Sequence, residues 1–308
     1  MGGEAARWRL DGRTVQVTRL DRVLWPADGI TKGNLLGYYR DLAPVMLPYY
    51  RERPVTLHVF PTGAGGMSYY RRDRPERAPA WLRGVPYHPK SADHVTHLPT
   101  IEDAAGLVWY ANGGAIEFHL WGARLPDLAE PDLAIFDLDP GEAAPFAAVL
   151  QAALRLREML AALDLRGYAK TSGGRGLHVY LPLAPGHTFD GVRAWVRALA
   201  ARLAAAHPDL VAVARGATHR GGLVTVDYAQ NSIGRNTAAP YTVRARPGAP
   251  VSAPVTWEEV AAGDFVPEDL TLRTVPERVR RLSDPFAPVL AGGQRLPALD
   301  PPADPDPA

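Results

Sequence analysis

The sequence predicts a mixed α/β fold, a sheet with flanking helices preceded by a β-rich module. Two observations carry this. From "LAIFDLD" onward, apolar strands and amphipathic helices alternate in the order strand–helix–strand–helix–strand. Ahead of them stand two further strand-like runs, "RPVTLHVFP" and "AIEFHLW". The 308 residues are 46% hydrophobic, enough for a sizeable core in one large domain or two small ones.

Three helices are legible in order. The first is "TKGNLLGYYRDLAPVML", with Thr31 as N-cap and Leu35, Leu36, Tyr39, Leu42 and Met46 as an apolar stripe. The second spans about Ala144 to Leu163, and the third follows Thr188, with Phe189, Val192, Val196, Leu199 and Leu203 on one face. Strands are expected at "LAIFDLD", "GLHVYLPL" and "LVTVDYA", and a last helix in "ERVRRLSDPFAPVL". The acidic, proline-rich end from Leu296 predicts a disordered tail over 296–308.

Composition narrows the function classes. There are no cysteines, which removes disulfides, thiolate nucleophiles and zinc–thiolate sites. A net charge of +1 is not that of a protein that coats DNA by bulk charge, so any nucleic-acid binding rests on local patches. No run of about 18 apolar residues exists to span a membrane. The charged N-terminus does not read as a signal peptide, and a cytoplasmic protein is expected.

Three constellations carry chemistry. In "PDLAIFDLDPGEAAPF", Asp137 and Asp139 end an apolar strand on one face, roughly 7 Å apart. Like charges there repel, and a divalent cation with oxygen ligands, magnesium or manganese, removes the conflict. The bland alternative is a solvated strand end. In "KTSGGRGLHVYLPL", glycines let amides converge on an anion, with Ser172, Arg175, His178 and Lys170 as further donors. The bland alternative is a glycine turn. In "LVTVDYAQNSIGRNTAAPYTVRARPGAP", Asp227 ends a third strand, and Arg244 and Arg246 follow. Together these suit two-metal phosphoryl or nucleotidyl transfer.

A strand ending in Asp-Xaa-Asp also resembles the first motif of haloacid-dehalogenase-type phosphatases, but Gly141 stands where those carry threonine. A much longer resemblance is to the polymerase domain of bacterial DNA ligase D, of the archaeo-eukaryotic primase superfamily. It rests on "FDLDPGE", "KTSGGRGLHVYLPL" and "VDYAQN…APYTVRARPGAPV" in that order. Upstream it includes "LDRVLWPADGITKGNLLGYYRDLAPVMLPYY", "APAWL" and "AGLVWYANGGAIEFHLW", and downstream "PVTWEEV". It covers roughly Val17 to Leu282.

The resemblance implies an α+β, primase-like fold: an RRM-like antiparallel or mixed catalytic sheet with flanking helices and an N-terminal β-rich module. The expected domain runs over 1–295, with modules at about 1–130 and about 131–295. Asp137, Asp139 and Asp227 match the metal-binding catalytic carboxylates, with two Mn2+ or Mg2+ ions implied. Ser172, Arg175, His178 and Arg244 match triphosphate-binding positions, and His119 in "EFHLW" a histidine near the nucleotide. Lys32 matches a residue that grips the 5′-phosphate of the downstream DNA strand, and Arg22 stands where the family usually has lysine. Tyr69 and Tyr70 match an aromatic pair that stacks on the template base.

The implied activity is DNA-templated extension of 3′ ends and filling of short gaps at breaks during end joining, with ribonucleotides preferred over dNTPs. Implied partners are broken or gapped DNA with a 5′-phosphate, Ku and a DNA ligase, near the nucleoid. His58, Val59, Ala217 and Leu223 stand where relatives often carry basic residues, though Arg220 remains. A non-catalytic DNA-end-binding module is the alternative from another class. No ligase Lys-Xaa-Asp-Gly motif occurs, so either a stand-alone polymerase or one domain of a larger protein is expected.

Overall fold

The computed structural model describes residues 5–88, 95–214 and 221–299. Ala217, Arg220 and tail residues 300–308 lie outside the described residues. The strands, in chain order, begin with β1 (Ala6–Leu10), β2 (Arg13–Val17), β3 (Val23–Trp25), β4 (Ile30–Thr31), β5 (Val55–Val59) and β6 (Tyr69–Arg71). They continue with β7 (Gly84–Tyr87), β8 (Thr96–Pro99), β9 (Ala115–Trp121), β10 (Leu133–Pro140), β11 (Tyr168–Thr171) and β12 (Leu177–Pro182). The last are β13 (Val211–Ala214), β14 (Val224–Asp227), β15 (Asn236–Ala238) and β16 (Pro254–Val255). The helices are α1 (Lys32–Tyr50), α2 (Ala104–Asn112), α3 (Phe146–Ala161), α4 (Phe189–Ala206), α5 (Trp257–Ala262) and α6 (Val275–Leu282). Two compact units result. One comprises Met1–Trp121, Asn236–Ala253 and Pro267–Asp284, the other Gly122–Arg235, Pro254–Val266 and Pro285–Ala308.

The first unit is built on a four-stranded sheet in the order β15-β9-β5-β6. Strand β9 is buried along its whole length. Helix α1 starts where the sequence predicts: Thr31 accepts from the Asn34 amide while Asn34 returns a bond to the Thr31 amide, a reciprocal cap. Its predicted stripe is buried, and the helix continues through Pro44 and Pro48. Helix α2 packs against α1 and was not among the predicted helices. Asp103 caps it through the Gly106 amide at 2.8 Å.

The second unit is built on a six-stranded sheet in the order β13-β14-β10-β12-β11-β16. Only β13 and β14 pair in parallel; β10 is antiparallel to both its neighbours. Helices α3 and α4 pack on β10 and on each other. Alternation along β10 turns Phe136 toward Trp195 of α4, at 6.2 Å between ring centroids, and Asp137 and Asp139 to the opposite face. This topology rules out the phosphatase alternative, whose doubly wound sheet is parallel. Gly141 argues the same way: a Cβ there would lie 2.4 Å from the Gly221 carbonyl oxygen, so no threonine fits. The chain is held past Leu296, since Trp195 Nε1 donates to the Pro297 carbonyl at 2.9 Å. No described helix is long and apolar enough to cross a membrane.

Candidate active site

On the sheet face away from α3 and α4, strand register builds one polar row. Asp137 pairs with Asp227 on one side and His178 on the other, and His178 pairs with Lys170. Directly opposed residues share a face. The row is therefore Asp227, Asp137, His178, Lys170 across four strands, and all four are buried. Asp139 pairs with Thr225 one step along, and is exposed. The Thr225 hydroxyl has no hydrogen-bond partner among the described residues.

The two halves of the row differ in chemistry. Lys170 Nζ lies 2.8 Å from His178 Nδ1, and His178 Nε2 lies 3.1 Å from Asp137 Oδ1. An ammonium only donates, so a charged Lys170 makes Nδ1 the acceptor and leaves Nε2 to carry a proton toward Asp137. Lys170 is fully buried, with its Nζ against the His178 ring. At the other half, burial and then the Asp137 charge push the Asp227 carboxyl above its ordinary range, against the Ala229 amide, which donates to it at 2.8 Å.

The glycine-rich turn after β11 also differs from expectation. The amides of Gly174 and Gly176 converge on an oxygen, but it is Ser172 Oγ, at 3.1 and 3.2 Å. These amides are not open to an anion. Gly176 is required for another reason, since a Cβ would lie 2.5 Å from the Leu138 carbonyl oxygen. Arg175 Nη2 donates to the carbonyls of Gly141, Glu142 and Ala144, which ties down the loop that follows the aspartates. The rest of its side chain is exposed.

In the first unit, Glu117 of β9 organises a second cluster that sequence reasoning missed. His119 shares its face at i+2, and His58 of β5 is its register partner. Glu117 Oε2 lies 3.1 Å from His58 Nδ1, 3.0 Å from His119 Nε2 and 3.1 Å from Arg244 Nε, while Oε1 accepts from the Ala245 amide at 2.9 Å. Burial pushes this carboxyl up, but the hydrogen bonds from His119 and His58, with the Arg244 charge, hold it far below the usual range. Burial holds His119 down, against the pull of Glu117. His58, Glu117 and His119 offer ligand atoms within 4.8 Å of one another, a set able to hold a metal ion. The signal was present: Glu-Xaa-His in an otherwise apolar strand puts two polar side chains on one face.

Tyr69 and Tyr70 are 41% and 56% exposed, so neither ring is a core aromatic. Tyr70 stacks on His58 at 4.0 Å and 17°. Lys32 and Arg22 line a pocket of about 500 Å³ in the first unit together with Arg19 and Arg77, two cations the sequence reading did not name. Burial, then Arg22 and Arg19, lower Lys32 to about 8. The first-turn amides of α1 are taken up within the protein. Lys32 and Gly33 amides donate to the Arg22 and Leu20 carbonyls, each at 2.7 Å, and the Asn34 amide to Thr31 Oγ1. The pocket's pull on an anion is therefore made by side chains.

The family model of the LigD primase-polymerase domain matches residues 31–286. The chain is 34% identical over 278 residues to the multifunctional non-homologous end joining protein LigD of Mycolicibacterium smegmatis, covering 89% of this chain and 36% of that protein. It is 34% identical over 294 residues to the Pseudomonas aeruginosa protein of the same name, covering 92% and 34%. The chain thus spans about a third of the length of these curated relatives. Among solved structures, the polymerase domain from Mycobacterium tuberculosis ligase D in complex with DNA matches with a TM-score of 0.84 and 33% identity, covering 91% of this chain and 99% of that one. With its mixed, carboxylate-bearing sheet, this chain belongs to the LigD primase-polymerase domain family.

Proposed function

We propose that the chain is a metal-dependent, DNA-templated nucleotidyltransferase that extends 3′ ends and fills short gaps at DNA breaks in end joining. The single observation that carries this is the register that faces Asp137 with Asp227 and sets Asp139 on the same side. Two buried like charges are costly as they stand, and burial together with Asp137 raises the Asp227 carboxyl. An all-carboxylate donor set fits manganese or magnesium. Two such ions would activate the attacking hydroxyl and steady the leaving pyrophosphate.

The chain's own residues supply the rest. Asp137, Asp139 and Asp227 hold the cations. His178, with Lys170 behind it, stands on the side of the row that takes the nucleotide's phosphates, with Ser172 and Arg175 shaping the adjoining loop. His119 and Arg244, both oriented by Glu117, contact the nucleotide. Tyr69 and Tyr70 stack on the template base. Lys32 and Arg22 take the 5′-phosphate of the downstream strand. DNA as substrate is supported by the DNA-bound relative of similar fold. Ribonucleotide preference, Ku and a DNA ligase as partners, and a nucleoid-associated place in the cytoplasm belong to the same reading.

The test is primer extension on a duplex with a short gap, comparing NTPs with dNTPs and manganese with magnesium. Templated extension that needs a divalent cation is expected, faster with manganese and NTPs. DNA binding without extension under every condition would instead support the end-binding module.

A further inference from the structure

At the Asp227 end of the row, the second unit has a pocket of about 550 Å³. Arg193 and Arg197 of α4 line it, with Arg235, Tyr228 and Ser232 from the chain after β14, and Asp227 itself forms part of its wall. Its cations are held in place without being neutralised as a group. Arg193 Nη2 lies 2.8 Å from Asp190 Oδ1, and Nη1 donates to Ser232 Oγ at 3.4 Å. The Arg197 guanidinium sits 5.9 Å from the Tyr228 ring centroid. Arg235 is exposed on the turn beyond. Three guanidinium groups against Asp190 and Asp227 leave a net positive pocket, and guanidinium forks match phosphate oxygens.

The row has a direction. Its far end, His178 with Lys170 behind it, is the cationic end to which the proposed function assigns the triphosphate. In phosphoryl transfer the attacking and leaving oxygens lie roughly in line, on opposite sides of the phosphorus. The attacking 3′-hydroxyl therefore enters from the Asp227 end. The strand that carries it is a polyanion, and the arginine-lined pocket stands at that entrance.

We propose that this pocket binds the phosphodiester backbone of the strand whose 3′ end is extended. The inference rests on the proposed polymerase reading and adds the primer-side contact to it. Arg197→Ala, Arg235→Ala and the double variant test it by steady-state extension, with primer–template and NTP varied separately. The double variant is expected to raise KM for primer–template by about tenfold or more, leave KM for NTP within about twofold, and flatten the salt dependence of DNA binding by roughly one unit per arginine removed. Anisotropy with a recessed-end duplex gives the second readout. Replacing the last phosphates of the primer strand with uncharged methylphosphonates should weaken wild-type binding and leave the double variant's binding unchanged.

A rise in KM for NTP with that for primer unchanged would assign the pocket to the triphosphate and overturn the proposal. So would wild-type primer KM in the double variant, or equal methylphosphonate losses in both proteins. Failure of the wild type to extend any primer would instead remove the polymerase reading, and the pocket assignment with it.

Discussion

Two buried carboxylate clusters in this chain solve opposite electrostatic problems. Glu117 is surrounded by its own counter-charges and donors, His58, His119 and Arg244, and stays ionised far below the usual range. Asp227 faces another carboxylate, and burial first, with the Asp137 charge added, pushes it up. In the first cluster the protein supplies the groups that offset the carboxylate charge. In the second, carboxylate faces carboxylate, and a bound divalent cation would relieve the repulsion. A buried charge is evidence for ligand binding only when the protein has not already neutralised it.

The largest expected effect is on the first cluster. Glu117→Gln removes the buried negative charge that His58, His119 and Arg244 surround and should destabilise the protein by about 3–5 kcal/mol, measured by denaturant unfolding. A cost near zero would make Glu117 dispensable and end the contrast. On the second cluster the effect moves from stability to chemistry. Asp137→Ala, Asp139→Ala and Asp227→Ala should each slow extension at least about a hundredfold, roughly 3 kcal/mol of transition-state stabilisation, with folding intact. A variant with near-normal rates would release its residue from the site. A smaller loss, about 1–3 kcal/mol per stack, is expected for Tyr69→Ala or Tyr70→Ala on templated substrates. Since both are exposed, neither variant should unfold, and an unfolded variant would contradict the stacking role.

The Lys32 pocket gives a graded effect. It too gathers like charges, and Lys32 is lowered from 10.5 to about 8. Its depressed value means a contribution to stability present above 10.5 and lost as pH falls through about 8. A 5′-phosphate reverses the sense, because it favours the charged lysine. Preference for gapped DNA with a 5′-phosphate over a 5′-hydroxyl should be full between about pH 6, where the phosphate takes its second charge, and about 8, and decline above it. Lys32→Ala should erase both the preference and its pH dependence in titrations at one fixed salt concentration. Equal affinity of the wild type for the two duplexes would remove the phosphate from the pocket.

Local signals were legible in the sequence. The Thr31 cap, the apolar stripes and the period-2 alternation that turns Asp137 and Asp139 to one face depend on a few adjacent residues. Long-range register was not. Nothing near Asp137 shows that Asp227 and His178 are its strand partners, nor that the chain returns at Asn236 to pair β15 with β9. Helix α2 was hidden because "AAGLVWYAN" is apolar nearly all round and lacks a helical stripe. Glu117 was hidden by the histidine beside it, and the capped amides of α1 by partners at Leu20 and Arg22 that only the fold brings close.

If the Asp227–Asp137–Asp139 cluster takes a cation, thermal unfolding with and without manganese will show it. Without metal, the raised Asp227 favours the folded state below its ordinary value of 3.8, and that advantage is lost as pH rises through its folded value. At neutral pH, metal-free Asp227→Asn should therefore melt above the metal-free wild type. Manganese should raise the melting temperature of the wild type by mass action, and raise that of Asp137→Asn and Asp227→Asn much less. A manganese shift of equal size in all three proteins, or a metal-free Asp227→Asn less stable than the wild type, would contradict the account.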